Sequence, residues 1–453
     1  MAALSYDLVI VGAGSGNMLP GEKFAGWRIA VVESDRFGGT CLNRGCIPSK
    51  MLVYAADVAQ TVRHAGSFGI RASWKGTDWP AIRERVFGRI DPLHERAVNH
   101  RRAGNTDVFL GEARFAGPKL LRVGDDELRA EQFVLAAGSR PSVPDIAGLS
   151  EVPYLTSDTV MRLEALPKSM VVLGGGYIAA EMSHIFGSLG TKVTIVARGP
   201  QMLSRHDADV RARFTAAYAE RFDLRLSSAV ERVSETRRGI RAEIVTPAGA
   251  RTVEAEVLLV ATGRTPNSDR LDVGAAGIEV DAHGHVRADA TYQTSVPGIW
   301  ALGDLANHFQ LKHMANAEAR LVQHNLLHPG QPLEAHFSVV PSAVFADPQV
   351  ASVGATEHDL QVERRNYIAA TRYYRDAAYG WALEDTTSFV KILADPATRL
   401  LLGAHIIGPQ ASTIIQPLIQ AMCLGNTVDE VASGVLYIHP ALTEVVEQAL
   451  LGL

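Results

Sequence analysis

Cysteine is nearly absent from this chain, with three in 453 residues. A disulfide-dense scaffold is therefore excluded. Long apolar runs are missing too: none reaches the roughly 18 residues that a membrane-spanning helix needs. The start MAALSYDLVIVGAG passes directly into a strand pattern, so no signal peptide and a cytoplasmic location are expected. Charge of either sign is in modest surplus at most, with 44 basic and 49 acidic side chains and a net charge of −5. No basic patch points to nucleic acid and no low-complexity tract points to disorder. What remains is an ordinary globular composition, 47% hydrophobic, in a chain long enough for two to four domains.

Against that scarcity, Cys41 and Cys46 stand together in GGTCLNRGCIPSK at 38–50. Five residues of continuous α-helix turn through about 500°, which would point the two side chains apart. A disulfide requires their Cα atoms within roughly 4.4–6.8 Å. The segment between them is therefore expected to be a loop eased by Gly38, Gly39 and Gly45, with a helix beginning near Pro48. Cys46 would lie at that helix N-terminus, where the dipole favours a thiolate. A structural disulfide and a metal site are the alternatives. The first is rare in a reducing compartment. The second lacks a second ligand pair, Cys423 being far along the chain, so no metal is expected.

An approximate internal repeat gives the architecture. Asp7–Val11 is an apolar strand followed by Gly12, Gly14 and Gly16, and Arg28–Glu33 is a second strand ending in an acid. Met170–Leu173 leads into Gly174, Gly176 and Ala179, then a helix through Gly187 and a strand over Lys192–Val196. Both units have the strand–glycine turn–helix–strand order of a dinucleotide fold, in which glycines admit a pyrophosphate to backbone N–H groups. The first copy departs from the pattern at Asn17, and Pro20-Gly21 predict a short or irregular helix after the turn. Glu33 lies 21 residues beyond Gly12, a distance suited to ribose hydroxyls. In the second copy Ala197 replaces the acid, with Arg198 and Arg205 after it. Arginines without the acid suit a 2′-phosphate, hence NADPH over NADH, although Arg198 also reads as a solvated loop charge.

These residues carry a resemblance. GGTCLNRGCIPSK, both glycine turns, Ala136-Ala137-Gly138, Ala261-Thr262-Gly263-Arg264 and TSVPGIWALGD at 294–304 resemble the FAD-dependent pyridine nucleotide–disulfide oxidoreductases along the whole chain. Within the family, GSGN at 14–17, FGRIDP at 87–92, LKHMANAEARLVQHNLL at 311–327, AYGWALEDT at 378–386 and HPALTEVVEQALLGL at 439–453 are most similar to the mycothione reductase branch. The resemblance implies an α/β fold of two Rossmann-like domains, for FAD and NADPH, and an α+β dimerisation domain. Its divisions fall at 1–150 for FAD, 151–267 for NADPH, 268–337 returning to the flavin, and 338–453 at the interface of a homodimer. The apolar run at 401–422 is expected as a strand and helix buried between subunits.

The resemblance also implies roles. Gly12, Gly14, Gly16, Glu33, Thr40, Gly138 and Asp304 would hold FAD; Gly174, Gly176, Ala179, Arg198, Arg205 and Gly263 would hold NADPH. Cys41 would attack a small disulfide such as mycothione while Cys46 faces the flavin, with Lys50 paired to Glu181. By spacing, Lys50 shares the helix face of Cys46, though an exposed helix lysine is the plain alternative. His439 and Glu444 would be the acid–base pair, lent by the other subunit; by spacing alone Glu447 competes with Glu444, and Pro440 is expected to open a helix. His184 and His405 are expected to be surface or packing residues. No second cysteine pair accompanies the C-terminal run, which argues against mercuric and large thioredoxin reductases. A lipoamide dehydrogenase, expected to keep an acid at Ala197, a glutathione reductase and a catalytically idle flavoprotein subunit are the remaining alternatives.

Overall fold

The computed structural model describes residues 3–104, 106–335 and 337–453. Two sheets built on the repeated glycine turns dominate it, the first parallel with an antiparallel edge and the second parallel throughout. In the first, β1 (Leu4–Val11) and β2 (Ile29–Glu33) pair in parallel, and β2 is buried along its whole length. Two helices follow, α1 (Gly39–Arg44) and α2 (Cys46–His64), then α3 (Trp79–Ile90) and α4 (Pro92–Arg102). Strands β3 (Thr106–Leu110), β4 (Ala113–Gly117), β5 (Leu120–Val123) and β6 (Asp126–Leu135) complete the order β3-β2-β1-β6-β5-β4. Fully buried apolar strands of this kind belong to sheets covered on both faces.

A short ribbon strand, β7 (Ser139–Pro141), and β8 (Tyr154–Leu155) lead to the second unit. There β9 (Ser169–Leu173), α5 (Tyr177–Leu189) and β10 (Lys192–Val196) form the βαβ crossover, followed by α6 (Ala208–Arg221) and β11 (Asp223–Arg225). An antiparallel sheet of β12 (Ala229–Thr236), β13 (Gly239–Thr246) and β14 (Gly249–Ala255) precedes β15 (Val257–Val260). The parallel order is β11-β10-β9-β15-β8. β16 (Arg264–Pro266) then pairs with β7, and β17 (Ile299–Ala301) returns to β6 of the first sheet.

After α7 (Lys312–Leu327) the chain builds an antiparallel sheet of order β18-β19-β22-β21-β20. Its strands are β18 (Ser342–Val344), β19 (Val350–Gly354), β20 (Ile368–Tyr373), β21 (Phe389–Ala394) and β22 (Leu401–Ile407). Helices α8 (Glu357–Val362), α9 (Ala378–Ala382), α10 (Ala411–Ile414), α11 (Gln416–Leu424), α12 (Val428–Gly434) and α13 (Thr443–Leu451) surround it. Here one expectation is corrected. The apolarity of 401–407 is used inside the chain, because β22 is a central strand buried at every residue between β19 and β21. Leu418, Ile419 and Ala421 of α11 are buried in the same core.

The two glycine turns have the same construction. Gly12 N–H donates to Val32 O at 2.8 Å and Gly174 N–H to Val196 O at 2.9 Å. Both glycines have positive φ, +103° and +127°. A Cβ on Gly12 would sit 2.3 Å from Ala136 O, and one on Gly174 would sit 2.2 Å from Ala261 O. Only glycine permits each turn to press against the strand beside it.

Candidate active site

The two cysteines sit on two helices rather than at the ends of a loop. Cys41 is inside α1 and Cys46 is the first residue of α2. Gly45 separates them with φ −135° and ψ −120°, ending one helix and redirecting the next. A Cβ there would lie 2.9 Å from Thr40 O, so the close turn depends on the missing side chain. The rotation argument applied to one continuous helix; a break at Gly45 brings the two residues together instead. Both side chains are half-buried and both line one cavity of about 1680 Å³.

The thiols share their environment unequally. Cys46 is lowered to about 6, first by the hydrogen bond it accepts from the Cys41 thiol and then by the Lys50 ammonium, against the opposing effect of burial. Cys41 is pushed upward by that same hydrogen bond and by burial. The resting dithiol therefore carries its thiolate on Cys46 and its proton on Cys41, and the α2 N-terminus favours that charge placement.

Lys50 lies one turn further along α2. Its Nζ is 2.8 and 2.7 Å from the two oxygens of Glu181 on α5, a residue only 4% exposed. Phe345 completes the group: its N–H donates to Glu181 Oε1 at 3.1 Å, and its ring lies 4.6 Å below Lys50 Nζ. Glu181 accepts from both, which makes a buried carboxylate tolerable.

The same cavity is lined by Gly12, Gly14, Glu33, Thr40, Gly138 and Asp304, and by Arg205. Glu33 ends β2 with Oε2 accepting from Ala13 N–H at 2.8 Å and Oε1 from Asp35 N–H at 3.0 Å; burial pushes its carboxyl upward. Asp304 accepts from Ser139 Oγ at 2.6 Å. A cleft of this volume, floored by side-chain-free glycines and closed by carboxylates at two places, fits a dinucleotide. Gly16 packs inward, where a Cβ would meet Ile10 Cγ2 and Ala136 Cβ at 2.9 Å.

Asn17 has a local explanation. As Pro20-Gly21 predict, the segment after the turn is irregular: two 3₁₀ turns, Gly16–Met18 and Glu22–Phe24, stand where a regular helix would run. Carbonyls that such a helix would satisfy need other donors. Arg101 of α4 supplies them: its Nε donates to Asn17 Oδ1 at 2.8 Å, and its guanidinium also donates to Asn17 O and Pro20 O. No sequence pattern marks Arg101 for this role. Tyr177 and Lys312 were also missed; both line the cavity, and Lys312 Nζ donates to Ser15 Oγ at 2.8 Å.

The second turn is a separate station. Gly176 caps α5, Ala179 is fully buried beneath it, and Gly263 follows β15 with φ +124°. Arg198 and Arg205 are exposed on the connection after β10. Ala197 is buried, and a Cβ on Gly175 would lie 3.1 Å from its own Cβ.

His439 does not line the cavity of its own chain. It is 73% exposed and its Nδ1 is 2.7 Å from Glu444 Oε1, while Glu444 Oε2 accepts from Ala441 N–H at 3.1 Å. The partner is thus Glu444, not Glu447. Pro440 does not open a helix; α13 begins at Thr443. Around this pair Leu436 and Ile438 are 99% and 75% exposed, an apolar surface unusual for a lone chain. Of the two readings expected for His184 and His405, packing is the one found: both are fully enclosed, His184 Nε2 lying 2.8 Å from Asp57 Oδ1 and His405 Nε2 3.0 Å from Ala355 O.

Comparison with known proteins agrees with this geometry. The family model described as pyridine nucleotide-disulphide oxidoreductase matches residues 6–319, and the dimerisation domain of the same family matches 340–450. Mycothione reductase of Mycobacterium tuberculosis is 46% identical over 99% of both chains. Glutathione reductase of Burkholderia cepacia is 32% identical over 98% of this chain and of that one. The solved flavoprotein disulfide reductase RclA from Escherichia coli superposes with a TM-score of 0.87 at 27% identity, covering 98% of this chain and 99% of that chain. Among the described residues no helix is long and apolar enough to cross a membrane. The cofactors are FAD and a nicotinamide dinucleotide, and the chain is an enzyme of the pyridine nucleotide-disulphide oxidoreductase family, a flavoprotein disulfide reductase.

Proposed function

We propose that this enzyme uses NADPH to reduce mycothione to two molecules of mycothiol in the cytoplasm, working as a homodimer. The observation that carries the substrate is the gap between 46% identity to a mycothione reductase and 32% to glutathione reductase and dihydrolipoyl dehydrogenase, each matched over at least 95% of both chains. Arg198 and Arg205 beside a buried Ala197 support NADPH, since a guanidinium pairs with a 2′-phosphate where an acid would repel it. The lipoamide alternative expects that acid.

In this reading Gly12, Gly14, Glu33, Thr40, Gly138 and Asp304 hold FAD with Gly16 packed beneath that turn, and Gly174, Gly176 and Gly263 join the arginines in holding NADPH with Ala179 buried beneath theirs. Bound FAD supplies the two-electron connection between NADPH and the cysteine pair. Cys41 holds its proton, so it needs a base before it can attack. His439 of a second subunit takes that proton, with Glu444 fixing the imidazole and supporting its charge. Cys41 Sγ then attacks one sulfur of the substrate disulfide; the S–S bond breaks, a mixed disulfide forms, and His439 returns the proton to the departing thiolate. Cys46 thiolate attacks Cys41 Sγ, reforming the Cys41–Cys46 bond and releasing the second half of the substrate as a thiolate, which takes its proton from solvent. The substrate gains two electrons and two protons, and the dithiol is oxidised. Lys50, held by Glu181, keeps Cys46 ionised between turnovers.

Steady-state NADPH oxidation with mycothione, glutathione disulfide and lipoamide offered separately tests the assignment. Mycothione is expected to be turned over fastest. Rapid turnover of glutathione disulfide with none of mycothione would overturn the substrate and leave the class standing.

A further inference from the structure

A buried cation lies away from the dithiol. Lys391 on β21 is 2% exposed, with Nζ 2.9 Å from Asp207 Oδ1 and 2.6 Å from Asp209 Oδ2, and it also meets Glu357 Oε2. Ligand atoms of the three carboxylates lie within 4.8 Å of one another, with the ammonium among them. Three anions this close repel strongly in a partly buried site unless a cation stays between them. Their origins differ: Asp207 and Asp209 begin α6 in the second nucleotide unit, whereas Glu357 and Lys391 belong to the C-terminal sheet and its helix.

The connection after β10 is fastened on both sides of Arg205. Leu203 N–H donates to Gly175 O at 2.7 Å, and His206 Nδ1 lies 3.1 Å from Ser352 Oγ of β19. Asp207 is then held by Lys391 and takes the Asp209 N–H at 3.1 Å. Arg205 is exposed between these anchors and lines the cavity.

We infer that Lys391 is a positioning residue for NADPH: by holding Asp207 and Asp209 against the C-terminal sheet, it fixes the segment that aims Arg205 at the 2′-phosphate. This rests on the reading of Arg205 as a phosphate ligand. Preference for NADPH over NADH is thereby made to depend on a strand more than 180 residues away in sequence. Removing the ammonium leaves the carboxylates to splay and the Arg205 segment to move, without touching the flavin or the dithiol.

Rapid-mixing reduction of the FAD-loaded enzyme by NADPH and by NADH separates nucleotide affinity from the limiting rate. Lys391→Ala is expected to weaken NADPH about tenfold while leaving NADH affinity and both limiting rates within about twofold. Asp209→Asn, whose carboxylate is exposed, is expected to weaken NADPH about threefold in the same selective way, and it carries the test if Lys391→Ala does not fold. Equal loss for both nucleotides in either variant, or an unchanged NADPH/NADH ratio in Asp209→Asn, would overturn the inference. Arg205→Met distinguishes the two claims. If it leaves the ratio unchanged, the phosphate reading fails; if it lowers the ratio while the Lys391 and Asp209 variants do not, only the positioning role fails.

Discussion

Lys50 Nζ is held by both oxygens of Glu181, at 2.8 and 2.7 Å, across the packing of α2 against α5. A cation one helical turn beyond Cys46 is thus fixed by an acid from the second nucleotide unit. The Cys46 thiolate persists above pH of about 6 and is lost as pH falls through that value, because its thiol is depressed from the ordinary range. Lys50→Met removes a stabilising charge and leaves Glu181, which opposes the thiolate, without its ion pair. Thiolate absorbance in the reduced enzyme should therefore titrate with a midpoint raised to about pH 7 or above. An unmoved midpoint would remove Lys50 from the account.

Cys41→Ser separates the two half-reactions. The variant should lose disulfide reduction by at least about a thousandfold, since a neutral hydroxyl is a poor substitute for a thiolate. Its flavin should still bleach on adding NADPH. Disulfide turnover near the parent rate would show that Cys41 is not the attacking group.

The exposed His439–Glu444 pair predicts complementation between subunits. Cys41→Ser and His439→Ala are each expected to be inactive as pure dimers. After dissociation and random reassociation, mixed dimers should contain one intact site apiece, restoring about a quarter of parent activity by twofold symmetry. No recovery, with mixed dimers demonstrated by mass, would place the acid–base group within one chain.

Arg101→Met should loosen FAD. Its guanidinium holds Asn17 Oδ1, Asn17 O and Pro20 O, so its loss leaves three acceptors without that donor behind the first glycine turn. FAD affinity is expected to fall about tenfold or more. The increase in melting temperature caused by saturating FAD should shrink, while the apoprotein melts within a few degrees of the parent. An equal drop for both forms with an unchanged FAD-dependent increase would make Arg101 a packing residue only.

Much of the fold could be read because glycine is conspicuous wherever backbone must approach backbone. Gly12 and Gly174 marked both nucleotide turns, and Ala197 against Glu33 marked how they differ. The short helix carrying Cys41 was not legible, because GGTCLNRG has three glycines in eight residues and little local helix preference. Its helical form depends on Gly38 entering with φ +98° and on Asn43 Nδ2 donating to the Phe37 and Gly39 carbonyls. His184 and His405 gave no signal of depth, since a histidine's burial depends on partners such as Asp57 and Ala355 that lie far along the chain.

By itself the sequence determined the class of chemistry: two cysteines spared in a cysteine-poor chain, two glycine turns in strand context and a histidine–proline near the C-terminal end. Each is a local requirement, met by residue type and spacing. Only the tertiary structure decided that two helices broken at Gly45 carry the thiols, that Arg101 fastens Asn17, and that Glu444 holds His439 where spacing also allowed Glu447. It also set Lys391 among three carboxylates. Those outcomes depend on charges, hydrogen bonds and burial that arise when distant segments pack, and local spacing does not encode them.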